Sequence, residues 1–456
     1  MTQAIFILIT LTAFSYAWRN FMTVRRNILL GHDEKIEGDA AVRWRNVFMI
    51  ALGQKKMFKL TIAAVLHLFI YVAFVITQVE LIEIFVDGTF GTHRFFAPYL
   101  GGFYTFVISF IEILSVLALI ATVAFIARRF ILKVQRFQKP ELKGFPNFDA
   151  AVILTLELLL IFGIFCMNSA DVVLQHKLPH DYHPTGFFAV SGWLGPALLS
   201  SWDPHLLVAL ERFGWWLHFF VVLGFLNYLP FSKHLHILLA FPNTYYARLN
   251  PRGEMENIPT ITNEVRNIMG IAAPEGETHP SVSDSEIPVF GSNDVFSLSW
   301  LNIMDAYSCT ECGRCTAVCP ANITGKKLSP RKIMMDVRDR AEEVGKKLDT
   351  GDIRLINKEL YPNDTVLTAQ NFIDNKSIFD YTTPEEINAC TTCNACVEAC
   401  PILINPLDII LQYRRYEILM LSKGPTDWLP MFTSIENGGS AWQMSVDRDA
   451  WVKDIK

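Results

Sequence analysis

The stretch CTECGRCTAVCP, residues 309–320, repeats its pattern of cysteines and proline as CTTCNACVEACP in residues 390–401. In both stretches the cysteines are separated by two, two and three residues, and a proline follows the last one. Eight of the nine cysteines of the chain lie in these two stretches. The ninth, Cys166, lies in an apolar run, where a thiol packs as a small hydrophobic group. The repeat therefore indicates two equivalent sets of thiol ligands.

This spacing is the signature of bacterial ferredoxins, in which three cysteines bind one 4Fe–4S cluster and the fourth binds the neighbouring cluster. The rule predicts two ligand sets: Cys309, Cys312, Cys315 and Cys400 for one cluster, and Cys390, Cys393, Cys396 and Cys319 for the other. Structural zinc is the alternative, because C-x2-C pairs also bind zinc. A zinc site needs no proline after its fourth cysteine, so we favour two iron–sulfur clusters.

The composition is that of a membrane protein with an added soluble part. The chain has 456 residues, of which 51% are hydrophobic, and its mean hydropathy is +0.27. A formal net charge of −5 gives no electrostatic indication of nucleic-acid binding.

Five apolar stretches are long enough to cross a bilayer core, which takes about 20 helical residues. These predicted spans are residues 3–22, 60–82, 101–127, 150–174 and 207–229. Together they predict a five-helix membrane bundle in the first half of the chain.

The charges between the spans predict how the bundle is oriented. Residues 19–59 carry nine Lys and Arg and residues 128–149 carry six, whereas 87–100 and 175–212 carry one and two. The positive-inside rule then places the N-terminus outside a bacterial cytoplasmic membrane and everything after the fifth span in the cytoplasm. Disulfides are rare in that reducing compartment, which argues against a disulfide framework for the cysteines.

Histidines inside the predicted spans suggest haem ligation. His67 and His218 lie about 15 Å and 18 Å from the cytoplasmic side at 1.5 Å per residue, so both can face one haem b iron. His236 follows His218 by five helical turns, and we expect the two to point the same way from opposite ends of one long helix. A second haem at His236 would need a partner, for which Met57 is the available ligand type. His234 would point to the other side and is a candidate quinone-headgroup partner.

Four glutamates also fall within the predicted spans. We expect Glu80 and Glu83 to be interfacial carboxylates at the outer end of the second span. Glu112 and Glu157 lie deeper, where a buried carboxyl is costly, and either a capped carboxylate or part of a proton path to a quinone would account for them.

The second half is predicted to be a helical ferredoxin unit. Ser329-Pro330 and Asn405-Pro406 each place a capping residue before a proline, which predicts helices after both cysteine stretches and a helical insert between them. The expected domains are a membrane bundle at 1–249, a linker at 250–300, the ferredoxin unit at 301–421 and a tail at 422–456.

The sequence also suggests roles for several residues outside the two ligand sets. We expect Arg314 and Glu398, inside the two cysteine stretches, to be surface charges. Trp428, Trp442 and Trp451 in the tail could dock a partner or pack back onto the ferredoxin unit.

The five spans, His67 and the pair His218/His236 resemble the dihaem cytochrome b (gamma-type) subunit of respiratory nitrate reductase, although that family has two histidines in its second span. The stretches 216–218 and 230–236 are more similar to fused membrane iron–sulfur oxidoreductases related to heterodisulfide reductase, some of which link electron-transfer flavoprotein to menaquinone. The two cysteine stretches with their helices resemble the α-helical ferredoxin of heterodisulfide reductase C-type subunits and succinate dehydrogenase iron–sulfur subunits.

The sequence lacks several common cofactor-binding and catalytic motifs, which excludes some classes of function. The sequence has no G-x-G-x-x-G, no P-loop and no nucleophile elbow, so it encodes no recognisable nucleotide site. The Cys-Cys-Gly module of the fused oxidoreductases is also missing, and we expect it on a separate subunit.

The predicted function is therefore a mainly α membrane subunit of a quinone-linked oxidoreductase. It would pass electrons between menaquinone and a Cys-Cys-Gly subunit or electron-transfer flavoprotein, through two 4Fe–4S clusters and haem b. A membrane-anchored redox sensor or assembly protein, and a thiol-disulfide reductase, are the alternatives. The lack of spare cysteines argues against the thiol-disulfide reductase.

Overall fold

The computed structural model describes residues 2–251, 253–255, 257–271, 289–441 and 449–455. Within these ranges the chain is helical with irregular connections, and the β-structure consists of two isolated bridges, His32 with Ser299 and Ile356 with Phe372. The prediction of a mainly α fold is confirmed.

The described residues of the first half of the chain form nine α-helices. They are α1 Thr2–Ile28, α2 Ala40–Asn46, α3 Thr61–Phe90, α4 Ala97–Leu100, α5 Gly102–Ile126, α6 Phe145–Lys177, α7 Ser191–Leu199, α8 Pro204–Tyr228 and α9 His236–Tyr246. Among the described residues, five helices, α1, α3, α5, α6 and α8, are long and apolar enough to cross a membrane. They coincide with the five predicted spans.

Glycines set two helix ends that the hydropathy pattern placed elsewhere. Helix α3 continues to Phe90 rather than residue 82, and ends where Gly91 takes φ +73° and donates its N–H to the Asp87 carbonyl. Helix α6 begins at Phe145 rather than residue 150, after Gly144 at φ +79°. The polar residues at these two ends therefore belong to the same helices as the apolar spans.

A glycine pair brings α6 and α8 into close contact. A Cβ on Gly214 would lie 2.6 Å from the Met167 nitrogen, and a Cβ on Gly163 would lie 3.2 Å from the Gly214 carbonyl oxygen. Small residues at such a crossing allow two backbones to approach closely. Helix α1 closes the bundle through Phe6, whose ring stacks 4.4 Å from that of Phe219.

The helix is interrupted between α8 and α9. This corrects the expectation of one long helix carrying both His218 and His236. Helix α8 ends at Tyr228, and two 3₁₀ turns, Leu229–Phe231 and Lys233–Leu235, precede His236. Pro230 lacks a backbone N–H, and Ser232 is extended, with its hydroxyl accepting from the His234 N–H at 3.0 Å. The chain therefore changes direction here, and the five-turn separation does not apply.

In the second half, the part of the chain that the structure describes forms nine further α-helices. They are α10 Pro259–Ile268, α11 Trp300–Ser308, α12 Arg314–Val318, α13 Pro320–Ile323, α14 Pro330–Thr350, α15 Pro384–Asn388, α16 Ala395–Ala399, α17 Pro406–Leu419 and α18 Leu429–Gly438. The predicted starts are confirmed, because Ser329 caps α14 and Asn405 caps α17 through their side chains.

The insert between the cysteine stretches is helical at its two ends and irregular between them. After α14 ends at Gly351, residues 352–383 are irregular apart from two short 3₁₀ turns. Asn371 organises this segment by donating to Asp364 at 2.7 Å and to the Val366 carbonyl at 2.9 Å. The prediction of a helical insert was wrong for these residues.

The two halves share one hydrophobic core. Val24, Ile28 and Leu30, at the end of α1, and Leu235, before α9, belong to the same buried cluster as residues of α11, α14 and α17. Backbone bonds reinforce the contact, since His32 N donates to the Leu298 oxygen at 2.9 Å. The ferredoxin unit is thus packed onto the ends of the membrane helices.

Parts of the predicted linker and tail can be located. Val295 and Leu298, within the stretch expected as linker, are fully buried in the shared core. Trp451 is exposed, and Trp428 contacts Phe432. Trp442 and the linker segment 272–288 lie outside the described residues.

Candidate metal centres and buried histidines

The structure gathers the cysteines into the two sets that the spacing predicts. One cavity is lined by Cys309, Cys312, Cys315 and Cys400, and a second by Cys319, Cys390, Cys393 and Cys396. Each stretch thus lends its fourth cysteine to the other set. We call these sulfur groups set one and set two.

The two cysteine loops have the same backbone conformation. Glu311 and Thr392, two residues after the first cysteine of each loop, both have φ +54°, and Gly313 and Asn394 follow at +71° and +60°. Such left-handed residues turn backbone N–H groups inward, a geometry that forms anion-binding concavities. Thr392 N in the second loop donates to Cys390 Sγ at 3.4 Å, and Ile404 N, after that loop, donates to Cys400 Sγ at 3.3 Å.

The donor sets fit iron–sulfur clusters better than single ions. Burial raises the pKa of Cys309 and of Cys396 to about 12, so thiolates at these positions need a bound cation to be stable. Among the described residues, no three His, Cys, Asp or Glu side chains are placed to hold one metal ion. Four sulfurs around a cavity suit a cluster of several irons.

The two sets face different surroundings. Cys393 of set two is exposed, whereas Cys309 and Cys400 of set one are buried. Next to set one, Arg314 donates to the carbonyl oxygens of Lys56 at 3.2 Å and Met57 at 3.4 Å, just before α3. Set two therefore opens to solvent, and set one lies against the membrane half.

Arg314 is a correction to the sequence-based expectation of a surface charge. Its exposed fraction is 7%, because its guanidinium fills the gap between the first cysteine loop and residues 55–59. Glu398 does pair with a charge, Lys59, in the same segment. The pattern of charges along the sequence carries no signal for this contact, which arises only from the packing of the two halves.

Glu311 is a second residue whose role the sequence did not indicate. Its carboxylate accepts from Lys233 Nζ at 2.6 Å and from Arg338 Nη1 at 3.0 Å. Burial alone would raise the pKa of Glu311, but the two cations outweigh it and lower the pKa. Glu311 thereby ties the set-one loop to the turn before α9.

The rings of His67 and His236 lie close together, and His67 is close to Arg314. Their ring centres are 6.5 Å apart, with an angle of 45° between the ring planes. His67 Nδ1 lies 3.1 Å from Gln54 Oε1, and His236 Nδ1 lies 3.0 Å from the Lys233 carbonyl oxygen. A hydrogen bond at Nδ1 fixes each ring and leaves Nε2 available, which is the usual arrangement of a metal-binding histidine.

His218 lies apart from this pair. It is 6% exposed, and its Nδ1 lies 3.3 Å from the Leu160 carbonyl oxygen. Among the described residues the ring contact of His67 is with His236 and none is with His218. The depth estimate placed His67 and His218 at similar distances from one side of the bundle, and their pairing on one iron stays a prediction.

His234 joins the same group instead of pointing away from it. Its ring centre is 5.5 Å from that of His236, and its Nε2 is 4.0 Å from Glu157 Oε1. Thr122 donates to the other Glu157 oxygen at 3.0 Å. Burial lowers the pKa of both His234 and His236, so both rings are neutral at pH 7. Met57 was a predicted ligand candidate. Its main-chain carbonyl oxygen accepts a hydrogen bond from Arg314.

Comparison with known families identifies the cysteine-bearing part. Residues 308–404 match the family described as 4Fe-4S dicluster domain. The matched segment contains all eight cysteines of the two sets. The chain therefore carries a C-terminal 4Fe–4S ferredoxin domain after five helices that could span a membrane.

The relatives are iron–sulfur oxidoreductases. The chain is 26% identical over 446 residues to the "Probable iron-sulfur-binding oxidoreductase FadF" of Bacillus subtilis, which covers 93% of this chain and 57% of the relative. It is 24% identical over 416 residues to the "EtfAB:quinone oxidoreductase" of Syntrophomonas wolfei, covering 89% and 53%. The chain thus spans little more than half the length of these relatives.

A third relative shares only part of the chain. The "Probable membrane-anchored ferredoxin" of Chromohalobacter salexigens is 31% identical over 155 residues, covering 32% of this chain and 21% of the relative. No solved structure shows significant similarity to the chain.

Proposed function

We propose that this chain is a membrane-bound electron-transfer subunit that passes electrons between a cytoplasmic redox partner and menaquinone. The observation that carries the proposal is the position of set one. Its neighbour Arg314 bonds to the residues that lead into α3, and α3 carries His67 beside His236. Arg314 and α3 thus link the loop that carries set one to the two histidines.

Two 4Fe–4S clusters would be held by set one and set two. Bound there, they would supply one-electron chemistry, and the protein supplies ligation and orientation. The Thr392 and Ile404 N–H groups stabilise negative charge on the sulfurs. Because Cys393 is exposed, set two is the side at which a partner can exchange electrons.

Haem b would be held by His67 and His236. Their ring centres are 6.5 Å apart, and because each Nδ1 already has a partner, each ring would offer its Nε2 to the iron. Gln54 and Lys233 fix the two rings from behind. His218 offers a ligand for a second haem elsewhere in the bundle.

The quinone headgroup is assigned to His234 and Glu157. Among the described residues His234 Nδ1 is buried with no hydrogen-bond partner, and Glu157 lies beside the same ring. A quinone carbonyl needs a hydrogen-bond donor and a proton source, which a histidine and a carboxyl group provide. The name of the EtfAB:quinone oxidoreductase relative supports an electron-transfer flavoprotein as partner. A Cys-Cys-Gly subunit is the alternative partner.

Quinone turnover separates this function from a redox sensor. Bacterial membranes containing the chain, supplied with reduced electron-transfer flavoprotein, should reduce a menaquinone analogue at a rate that depends on the chain. Cys393→Ser is expected to lower that rate, whereas Thr391→Ser, a conservative change inside the same loop, should leave it unchanged. A sensor or assembly protein predicts no reduction above membranes that lack the chain.

Cofactor content tests the ligand assignments independently of any partner. Purified chain should contain about eight irons in acid-labile clusters plus haem iron. Its dithionite-reduced spectrum should show the α-band of haem b. An iron content of about four, or a missing α-band, would contradict the two-cluster or the haem assignment respectively.

A further inference from the structure

A short helical segment on the ferredoxin side of the bundle has an apolar outer face. Helix α2, Ala40–Asn46, continues directly into a π-helical turn, Val47–Leu52, and we call residues 40–52 the surface helix. Four apolar side chains on its outer face are between 38% and 59% exposed: Trp44, Phe48, Met49 and Leu52. The solvent-facing side of a helix in a soluble protein is normally polar. This outer face therefore requires an apolar covering.

The polar groups of this segment lie on its inner side instead. Arg43 is 4% exposed, and its guanidinium donates to the carbonyl oxygens of Tyr245 at 2.9 Å and Ala247 at 3.1 Å, at the end of α9. Gln54, just after the surface helix, is also buried and contacts His67. The surface helix is thus fixed to α9, and its polarity is the reverse of that of a helix in a soluble protein.

Helix α9 extends the same apolar surface. It packs beside the surface helix, and the ring of Tyr245 lies 5.2 Å from that of Trp44. Leu238 and Phe241 precede Tyr245 by helical spacing on one side of α9, and both are exposed. We call the exposed side chains of the two helices the apolar platform: Trp44, Phe48, Met49, Leu52, Leu238 and Phe241. A contiguous apolar patch of this kind marks a membrane or protein contact.

The chain connections place the apolar platform at the membrane surface. Residues 53–60 join the surface helix to α3, and residues 229–235 join α8 to α9. Both α3 and α8 are long and apolar enough to cross a membrane, so their ferredoxin-side ends lie at the bilayer surface. The surface helix itself is about 20 Å long at 1.5 Å per residue, which is too short to cross the bilayer core. A position along the bilayer surface satisfies both constraints.

Basic side chains accompany the apolar platform. Arg45 on the surface helix and Lys55 just after it are both exposed. The acidic residue at the start of this helix, Asp39, is engaged as its cap, because it accepts from the Ala41 N–H at 2.9 Å. Interfacial helices combine an apolar face with Lys and Arg side chains that reach anionic headgroups. The charges therefore favour a phospholipid surface as the covering.

We propose that the apolar platform is embedded in the headgroup layer of the ferredoxin-side leaflet, where Arg45 and Lys55 contact anionic phospholipid headgroups. This lipid contact does not depend on electron transfer. It has one consequence that rests on the proposed function: α9 begins at His236, so a quinone dissolved in the same leaflet can reach the histidines from the lipid.

Fluorescence quenching by brominated phospholipids measures the depth of Trp44. The full chain is placed in bilayers whose acyl chains carry bromine near the headgroup or near the bilayer centre, and the emission lost in Trp44→Phe gives the Trp44 signal. Bromine near the headgroup should quench this signal at least about twofold more strongly than bromine near the centre. The depth control is Trp216→Phe, because Trp216 lies midway along α8 and should show the opposite order.

A Trp44 signal that is not quenched in bilayers where Trp216 is quenched would overturn the proposal, because protein or solvent would then cover the apolar platform. A Trp44 signal quenched most strongly by bromine near the bilayer centre would overturn it as well. Gel filtration in detergent verifies that each variant is folded.

Native mass spectrometry of the full chain, mixed with equal amounts of phosphatidylglycerol and phosphatidylcholine, tests the headgroup contact. The wild type should retain more phosphatidylglycerol, and Arg45→Gln combined with Lys55→Gln should lower this preference at least about fivefold. The matched control is Lys346→Gln combined with Arg354→Gln, which removes two exposed charges from the ferredoxin domain. Equal retention of both lipids by the wild type would overturn the headgroup contact. Failure of quinone reduction with both lipid results intact would count against the proposed function alone.

Discussion

Arg314 is the single residue that most directly links the cysteine sets to the membrane half. Arg314 directly precedes Cys315 in the sequence. Its guanidinium donates hydrogen bonds to the carbonyl oxygens of Lys56 and Met57. A buried positive charge favours the reduced form of a neighbouring cluster. We expect Arg314→Gln to lower the reduction potential of one cluster by on the order of 50 mV, as measured by potentiometric titration with electron paramagnetic resonance.

The matched control is Arg354→Gln, which removes an exposed arginine paired with Asp352 away from both sets. Both cluster potentials should then stay at their wild-type values. If Arg314→Gln left both potentials unchanged as well, set one would not be the cluster that faces α3.

The histidines predict a specific pattern of haem loss. His67→Ala and His236→Ala should each abolish the haem b α-band assigned to their shared site, because each removes one axial ligand. His234→Ala and His218→Ala should leave that band in place. Spectra of dithionite-reduced variants, normalised to cluster iron, make the comparison. Loss of the same band in His218→Ala but not in His236→Ala would restore the pairing expected from depth.

At the scale of helices, the crossing of α6 and α8 depends on Gly214. A Cβ there would lie 2.6 Å from the Met167 nitrogen, so Gly214→Ala must push the two backbones apart. We expect a loss of about 1–3 kcal/mol in the free energy of unfolding. Gly224→Ala is the control on the same helix, because nothing lies within 4 Å of its Cβ position. Denaturant titrations in detergent should separate the two variants, and equal stabilities would contradict the close crossing.

Helix α14 is held to the irregular insert by Asp374. Arg340 Nη1 and Lys347 Nζ donate to this carboxylate at 2.7 and 2.9 Å. Burial alone would raise the pKa of Asp374, but these bonds outweigh it and hold the pKa at about 2. Since the unfolded value is about 3.9, the stabilisation is present at neutral pH and is lost as the pH falls from about 4 towards 2.

Asp374→Asn should therefore destabilise the ferredoxin domain at pH 7 by about 1 kcal/mol after solvent screening. Thermal unfolding followed by cluster absorbance gives the measurement. Asp352→Asn is a suitable control because Asp352 also has a pKa of about 2 but pairs with Arg354 on the surface. That variant should unfold at the wild-type temperature. A larger shift in Asp352→Asn than in Asp374→Asn would contradict this account.

The helix starts that could be predicted from the sequence are those set by nearby capping residues. Ser329 and Asn405 act through donors two or three residues away, so the starts of α14 and α17 follow from the sequence alone. The break after Tyr228 depends on how Ser232 and Lys233 meet α6, because Lys233 N and Nζ bond to Asp149 and Pro146. Such long-range contacts leave no periodic pattern in the sequence.

Within the candidate site, the cysteine sets could be predicted from local sequence signals, whereas the histidine pair depends on long-range contacts. The grouping of four and four follows from motif spacing, since the loop geometry around each motif is local. The approach of His236 to His67 depends on the interruption of the helix at Pro230 and Ser232, and the hydrophobic pattern alone favours a continuous helix there.

For the molecule as a whole, the shared core predicts that the ferredoxin domain depends on the membrane half. A fragment of residues 289–421 would lose the contacts of Val24, Ile28, Leu30 and Leu235. At about 1.5 kcal/mol or more for each buried aliphatic side chain, the loss is at least about 6 kcal/mol, comparable with the whole stability of a domain. We expect the fragment to aggregate or to reconstitute clusters poorly, as judged by iron content and gel filtration. A monomeric fragment that binds eight irons and unfolds cooperatively would contradict the shared core.

The central claim is that electrons pass from the cysteine sets through the membrane half to a quinone. The most direct test is a single-turnover experiment: dithionite-reduced chain in lipid bilayers is mixed anaerobically with a menaquinone analogue, and cluster absorbance is followed. The account predicts reoxidation of the clusters by the quinone in the wild type and at least about tenfold slower reoxidation in His236→Ala. Clusters that stay reduced in the wild type, or that are reoxidised equally fast in His236→Ala, would contradict it.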